Sequence, residues 1–426
     1  MGTSPEPDRV VVVGQGYVGL PLAVCAVEQG NDVVGFDVDD DRIAQLAAGS
    51  SYVEDIGDDR LSAALETGRY LPSADPGDLA GFDIAVISVP TPLREGSPDL
   101  SFIESAAAEL GAHLRRGACV VLESTTYPGT TEELVAPLLE RVSGLRAGAD
   151  FQLGYSPERI DPGNAAWTLE NTPKVVSGID AASLARIKDF YDRVVVQTVP
   201  VRSPKEAELT KLLENTFRHV NIALVNELAM FARDLGIDVW DAIDAAETKP
   251  FGFMSFRPGP GVGGHCLPID PSYLSWRVKQ SLGLTFRFVE LANEVNEHMP
   301  DYVVRRLQAA LNDRELSVKG RRILVAGVAY KRNTGDDRES PSRRIIELLH
   351  ELHAEVVVCD PHVDPARSHA TAGTTWVELT AEEVRKADAV LLLVDHDRFD
   401  LELVAAEARY VLDTRRCLEG PTVEHL

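Results

Sequence analysis

Cys266 lies in the stretch Arg257-Pro258-Gly259-Pro260-Gly261-Val262-Gly263-Gly264-His265-Cys266-Leu267-Pro268-Ile269-Asp270-Pro271, of which no regular element can hold Pro258 to Pro268. The glycines and prolines exclude helix and strand and shape a loop whose backbone can lie close to a ligand. A thiolate is the reactive form of cysteine, and a basic neighbour such as His265 raises its population. Cys266 therefore reads as a nucleophile, with His265 beside it and Asp270 four residues on. Cys25, Cys119 and Cys359 read instead as small core residues. Lys211 and Asn215, at i and i+4, share one helix face and can both donate to a developing oxyanion. By spacing alone they fit a solvated helix pair better. Ser124-Thr125-Thr126 and Ser156-Pro157-Glu158-Arg159 follow apolar runs, at the strand ends where α/β sheets bind ligands.

A second group of residues could hold a dinucleotide. Gly14-Gln15-Gly16-Tyr17-Val18-Gly19 directly follows the apolar run Val10–Val13 and opens a helical stretch, and Asp37 ends the next strand-like run. Glycines let the backbone approach a pyrophosphate, the helix N-terminus supplies amides and positive dipole, and an acid at Asp37 can accept from the adenosine ribose. Asp39, Asp40 and Asp41 would repel a 2′-phosphate, which favours NAD over NADP. The histidines His350, His353, His362 and His369 lack a clustered carboxylate or thiol, so no metal is expected.

These residues need a scaffold. The chain has 426 residues and 44% hydrophobic content, enough for several cores, and a formal charge of −25. So acidic a chain is a poor partner for nucleic acid or anionic lipid. An anionic substrate would need a locally basic pocket. No run approaches a membrane span, the start lacks a signal-peptide core, and five scattered cysteines without a CxxC pair fit a reduced, cytoplasmic setting. Strands are expected at Val10–Val13, Asp32–Asp37, Asp83–Val89, Ala118–Glu123, Phe151–Tyr155, Lys174–Ser177 and Val194–Thr198, with helices between them. Ser203-Pro204-Lys205-Glu206 carries capping-box residues with proline at the first helical position, and no glycine or proline follows until Gly236. That predicts a helix of about 32 residues, about 48 Å long, suited to a spine and a subunit interface. A second α/β unit begins at Arg322, with strands at Ile323–Ala326, Val356–Asp360, Ala389–Val394 and Tyr410–Asp413. The expected fold is α/β: two Rossmann-like doubly wound domains joined by a long central helix and a small helical domain.

The chain resembles the UDP-glucose/GDP-mannose dehydrogenase family of nucleotide-sugar 6-dehydrogenases. The resemblance rests on Gly14-Gln15-Gly16-Tyr17-Val18-Gly19-Leu20-Pro21, Val89-Pro90-Thr91-Pro92, Glu123-Ser124-Thr125, Ser156-Pro157-Glu158, Lys211 with Asn215, Gly263-Gly264-His265-Cys266 with Asp270, and Tyr330-Lys331 with Arg338-Glu339-Ser340-Pro341. It implies an NAD-binding domain over 1–202, a central helical dimerisation domain with the cysteine loop over 203–316, and a nucleotide-sugar domain over 317–426. It also implies a homodimer through the central helix. The implied reaction is a four-electron, two-NAD oxidation of a hexose C6 hydroxyl to the uronic acid through a Cys266 thiohemiacetal and thioester. Lys211 and Asn215 would stabilise oxyanions, Asp270 would move a proton, and Glu158 and Thr125 would position the water. Cofactor contacts would come from Gly14, Gly16, Tyr17, Val18, Gly19, Asp37, Arg42, Pro90, Thr91, Thr125 and Arg338. Substrate contacts would come from Glu158, Arg159, Lys211, Asn215, Arg218, Arg257, Gly263, Tyr330 and Lys331.

Three features are similar to the UDP-N-acetylglucosamine branch: Pro162 where the glucose branch has a second glutamate, His265 where it has serine, and the run Glu214–Asn221. UDP-glucose and TDP-glucose oxidation remain alternatives. So do a β-hydroxyacid-type dehydrogenase, which needs neither Cys266 nor residues 322–426, and a dinucleotide-binding scaffold without chemistry.

Overall fold

The computed structural model describes residues 7–53, 55–94, 96–160, 166–264, 267–369 and 374–426. They form two compact units, Met1–Glu214 with Trp276–Ser281, and Asn215–Ser275 with Leu282–Leu426.

The first unit is built on β1 (Arg9–Val13), β2 (Asp32–Phe36), β3 (Tyr70–Ser73), β4 (Ile84–Ile87), the small antiparallel pair β5 (Leu93–Arg94) and β6 (Ser97–Pro98), β7 (Cys119–Leu122), β8 (Gln152–Tyr155), β9 (Lys174–Gly178) and β10 (Thr198–Pro200). Its main sheet is eight-stranded, in the order β10-β9-β8-β7-β4-β1-β2-β3. All neighbours are parallel except β8 and β9. Strand side chains alternate between faces. Val10 and Val12 accordingly pack with helices Gly19–Glu28 and Ala181–Val194, while Val11 and Val13 pack with helices Ser101–His113 and Ala136–Ser143. Burial on both faces explains the unbroken apolar runs.

The registers matter for function. Val13 pairs with Ile87, Ile87 with Leu122, and Leu122 with Tyr155. The segments that follow, at Gly14, Ser88, Glu123 and Ser156, therefore emerge side by side on one edge of the sheet.

Two differences from the sequence reading have clear causes. The expected strand at 194–198 is the end of helix Ala181–Val194 followed by β10 at Thr198. Ile187, Phe190, Tyr191 and Val194 recur at helical spacing and are all buried, and Asp180 caps the helix by accepting from the Ser183 amide. That periodicity outweighs the β-branched run Val194–Val196. Strand β3 was not foreseen: it is an edge strand containing Pro72, which weakens any strand signal.

Helix Pro204–Asp234 runs 31 residues, as expected, and ends before Gly236 at φ 70°. At its start the Ser203 hydroxyl donates to the Glu206 carboxylate. The second unit adds helices Val239–Glu247 and Arg287–Asp313, the start of helix Asp270–Leu282, whose residues Trp276–Ser281 count with the first unit, and a parallel sheet of β11 (Arg322–Ala326), β12 (Glu355–Cys359), β13 (Thr375–Trp376), β14 (Ala389–Leu392), β15 (Val411–Asp413) and β16 (Val423–His425). Its strand order is β13-β12-β11-β14-β15-β16. Ile323 and Val325 face helix Arg287–Asp313 and helix Pro341–Glu351, whereas Leu324 and Ala326 face the helices at Val384 and Val404. Both sheets are thus covered on two sides. No described helix is long and apolar enough to cross a membrane.

Candidate active site

The glycine turn after β1 is fixed by its neighbours. Gly14 has φ +91°, and a Cβ there would lie 2.6 Å from the Ser88 carbonyl oxygen. A Cβ on Gly19 would lie 1.8 Å from the Gly14 carbonyl oxygen. A Cβ on Gly16 would meet nothing within 4 Å. Gly14 and Gly19 are therefore required by the turn itself, while Gly16 leaves open the space that a pyrophosphate takes in a dinucleotide fold. Asp37 is 7% exposed and organises this turn: its Oδ2 accepts from the Gln15 amide at 2.9 Å and pairs with Arg42 Nη1 at 3.1 Å. Arg42 sits in the first turn of helix Asp40–Ala47, which Asp39 caps. Ser88 Oγ donates to the Gly14 carbonyl at 2.9 Å, and Ser124 Oγ to the Val89 carbonyl at 2.8 Å. These serines fasten the three neighbouring turns, and with them half-buried Thr125 and buried Thr91. Tyr17 is exposed, Val18 is the residue before the helix, and Pro90 lies exposed beside Thr91. An open Gly16, a helix N-terminus behind it and an acid at the end of β2 suit an NAD.

After β8, Glu158 is almost fully buried. Its Oε1 accepts from the amides of Arg159 and Ile160 at 2.6 and 2.9 Å, and its Oε2 from Lys174 Nζ at 2.7 Å. Burial pushes this carboxyl up, but Lys174 and the two amides outweigh it and hold Glu158 below the usual carboxylate range. Arg159 grips Glu214 with Nη2 at 2.6 Å and donates from Nη1 to the Pro173 carbonyl at 2.7 Å. On the long helix, Glu208 is fully buried and accepts from the Gly129 and Thr131 amides at 2.5 and 2.9 Å. Burial raises its pKa to about 7, against those bonds. Glu208 thereby ties the segment after Thr125 to the helix that carries half-buried Lys211, one turn on. Sequence reasoning missed Glu208 and Lys174, and met Glu123 only within the Glu123-Ser124-Thr125 motif without a role; the signal for the first two was charge within otherwise apolar surroundings.

In the second unit, Asn215 and Asp270 meet: Asn215 Nδ2 donates to Asp270 Oδ2 at 2.5 Å, and both are buried. Asp270 is also the first residue of helix Asp270–Leu282, where a carboxylate is favoured by the dipole. The glycine-rich loop before it is held by buried amides and by close packing. The Gly259 amide donates to Asn226 Oδ1 at 2.9 Å, and Asn226 in turn donates to Asn296. Cβ atoms on Gly263 and Gly264 would lie 2.9 and 2.7 Å from atoms of Tyr330. The Gly264 amide donates to the Arg338 carbonyl at 3.2 Å. The loop thus rests on the segment that carries half-buried Tyr330 and Lys331. Arg338 itself holds Asp336 with two nitrogens, at 2.9 and 2.7 Å. Arg257 pairs with Asp244 and Glu247, and Arg218 is exposed. His265, Cys266 and Pro162 lie outside the described residues. Cys25, Cys119 and Cys359 are buried, as expected of core cysteines, and burial pushes Cys25 and Cys119 up to about 12. One cluster of possible metal ligands, Cys25, Glu28 and Glu170, is already occupied by the Arg60 guanidinium, whose Nη2 lies within 3.3 Å of all three.

Comparison with known proteins accounts for both halves. Three family models match in sequence order: the NAD binding domain (residues 8–195), the central domain (205–298) and the UDP binding domain (324–420) of the UDP-glucose/GDP-mannose dehydrogenase family. The chain belongs to this family. It is an NAD-dependent nucleotide-sugar dehydrogenase. It is 35% identical to the UDP-N-acetyl-D-mannosamine dehydrogenase of Pyrococcus horikoshii, over 97% of each chain. It is 38% identical to the UDP-N-acetyl-D-glucosamine 6-dehydrogenase of Pseudomonas aeruginosa, over 92% of this chain and 91% of that one. Among solved structures, the UDP-glucose dehydrogenase of Pyrobaculum islandicum is similar with a TM-score of 0.87 at 30% identity, covering 100% of this chain and 98% of the other.

Proposed function

We propose that this dehydrogenase oxidises the C6 hydroxyl of a UDP-N-acetylhexosamine, UDP-N-acetylglucosamine first, to the uronic acid, consuming two NAD and one water. The observation that carries the reading is the loop that sets Cys266 four residues before Asp270, whose carboxylate is held by Asn215. The relatives named for N-acetylglucosamine and N-acetylmannosamine support the choice of sugar.

NAD, when bound, accepts the hydride of each oxidation. The first oxidation leaves an aldehyde. The Cys266 sulfur adds to its carbon, and the oxygen takes a proton, giving a thiohemiacetal that cannot diffuse away. Loss of a second hydride and of the hydroxyl proton leaves a thioester. Water then adds, the C–S bond breaks, and the carboxylate departs as Cys266 regains its thiolate. Lys211 and Asn215 donate to the oxygen that carries negative charge in these steps. Asp270, and Glu158 with Thr125, position the water and receive its proton. Arg159, Arg218, Arg257 and Lys331, with Tyr330, Gly263 and Arg338, serve the sugar, the diphosphate and the cofactor, supplying the cations that an anionic ligand needs from a strongly acidic chain.

The test is NADH yield across a panel of UDP-N-acetylglucosamine, UDP-N-acetylmannosamine, UDP-glucose and TDP-glucose. Two NADH per sugar, with the N-acetylated sugars preferred, is expected. One NADH per sugar with free aldehyde would overturn the covalent route.

The enzyme is further proposed to be a cytoplasmic homodimer in polysaccharide or glycoside biosynthesis. Along the long helix Leu209, Leu213, Phe217, Leu224, Leu228 and Phe231 recur at steps of three, four and seven, with Leu235 just past its end, and all are exposed in the single chain. So continuous an apolar stripe suits a partner helix. Light scattering should give twice the single-chain mass, and Leu224→Asp with Phe231→Asp should give monomer.

A further inference from the structure

A buried polar network lies behind Glu158. Lys174, the first residue of β9, is 3% exposed and places its Nζ 2.7 Å from Glu158 Oε2 and 2.9 Å from Glu123 Oε1. Glu123 is the residue directly after β7, 2% exposed, and it also accepts from the Tyr191 hydroxyl at 2.5 Å. Lys174 Nζ lies 5.4 Å from the centre of the Tyr191 ring. Glu123 Oε2 is buried and has no hydrogen-bond partner among the described residues. Among the described residues, the other charged groups beside Glu158 are Arg159 and its partner Glu214.

We infer that Lys174 is a positioning residue that keeps Glu158 ionised and aimed, with Glu123 as the buried group that carries a proton in its place. The reasoning is electrostatic. Two carboxylates and one ammonium in a dry site would carry net negative charge, which burial makes costly. Glu158 gathers two amides and the ammonium, whereas among the described residues Glu123 gathers the ammonium and the Tyr191 hydroxyl on one oxygen. The proton therefore belongs on Glu123. The directions agree: burial raises Glu123 despite the pull of Lys174, while Lys174 and the amides bring Glu158 down. Lys174 is itself held charged, its two carboxylates outweighing burial. Two like groups pushed apart in this way take separate acid and base duties.

The inference rests on the proposed role of Glu158, and one experiment separates them. The pH dependence of kcat/KM is measured for wild type, Glu158→Gln, Lys174→Arg and the double variant Glu123→Gln/Lys174→Met, which removes the ammonium together with the acid it also serves, so that Glu158 keeps its two amides and loses its cation. NADH binding reports folding. Activity should fall as pH drops through the Glu158 pKa, so loss of Lys174 should move that acid limb upward by at least about one pH unit. Lys174→Arg should keep the wild-type limb. A double variant with the wild-type limb, beside a Glu158→Gln that loses it, overturns the inference alone. A Glu158→Gln with wild-type limb and rate overturns the role of Glu158 and the inference with it.

Discussion

Cys266→Ala should lower turnover by roughly three orders of magnitude or more, as expected when a covalent nucleophile is lost, and should leave NAD binding intact. The separation follows from where the parts lie. Gly14, Gly16, Gly19 and Asp37 belong to the first unit, and their turn is held by Ser88 and by the Gln15 amide. Cys266 falls in sequence within the second unit, so its replacement alters nothing of that turn. Supplying the 6-aldehyde directly should not rescue the alanine variant, since the defect lies after the first hydride transfer. Cys266→Ser should allow slow capture but leave an ester-like adduct, because an alkoxide departs less readily than a thiolate. Intact-mass measurement should then find the sugar nucleotide on the peptide holding residue 266. Substantial turnover by Cys266→Ala would make Cys266 a packing residue and would overturn the covalent route.

The parts of this enzyme that were legible in sequence are those where one local pattern admits one structure. Val10–Val13 followed by Gly14 and Gly19 leaves little choice, because those glycines answer steric demands visible in the folded turn. The long helix was legible because Pro204 starts it and Gly236 ends it. What could not be read was whatever depends on contacts distant in sequence. Lys174 looks like an ordinary charged residue at the head of an apolar strand; only the pairing of β8 with β9 brings it to Glu158. Glu208 looks like one more acid on an acidic helix, yet it is buried under the Gly129–Thr131 turn. Arg257 and Arg338 were expected at the substrate or cofactor, and each holds acidic neighbours: Asp244 and Glu247 for Arg257, Asp336 for Arg338. Counter-ions of this kind keep a cationic side chain extended, at small cost when an anionic ligand replaces them, since exposed pairs contribute only about 0–1 kcal/mol.

The Asn215–Asp270 pair makes the remaining large prediction. Asn215→Ala leaves the buried Asp270 carboxylate without its 2.5 Å donor. Loss of one such hydrogen bond to a buried group costs about 1–3 kcal/mol of stability. It also removes a proposed oxyanion donor, so turnover should fall about 10²–10³-fold. Asp270→Asn keeps the shape and removes the charge. It should be far less damaging to stability, because Asn215 can rotate its amide to present either its donor or its acceptor to the new side chain. Its turnover should nevertheless fall by a comparable factor, through loss of the proton acceptor. The double variant Asn215→Ala/Asp270→Asn decides between coupling and independence. Residues acting on one reacting oxygen through one hydrogen bond should show a combined loss well short of the product of the single losses. Thermal unfolding and single-turnover kinetics on all three variants provide the readout. Fully multiplicative losses in rate would mean that Asn215 and Asp270 serve different steps, and that their hydrogen bond only holds the long helix to the start of helix Asp270–Leu282.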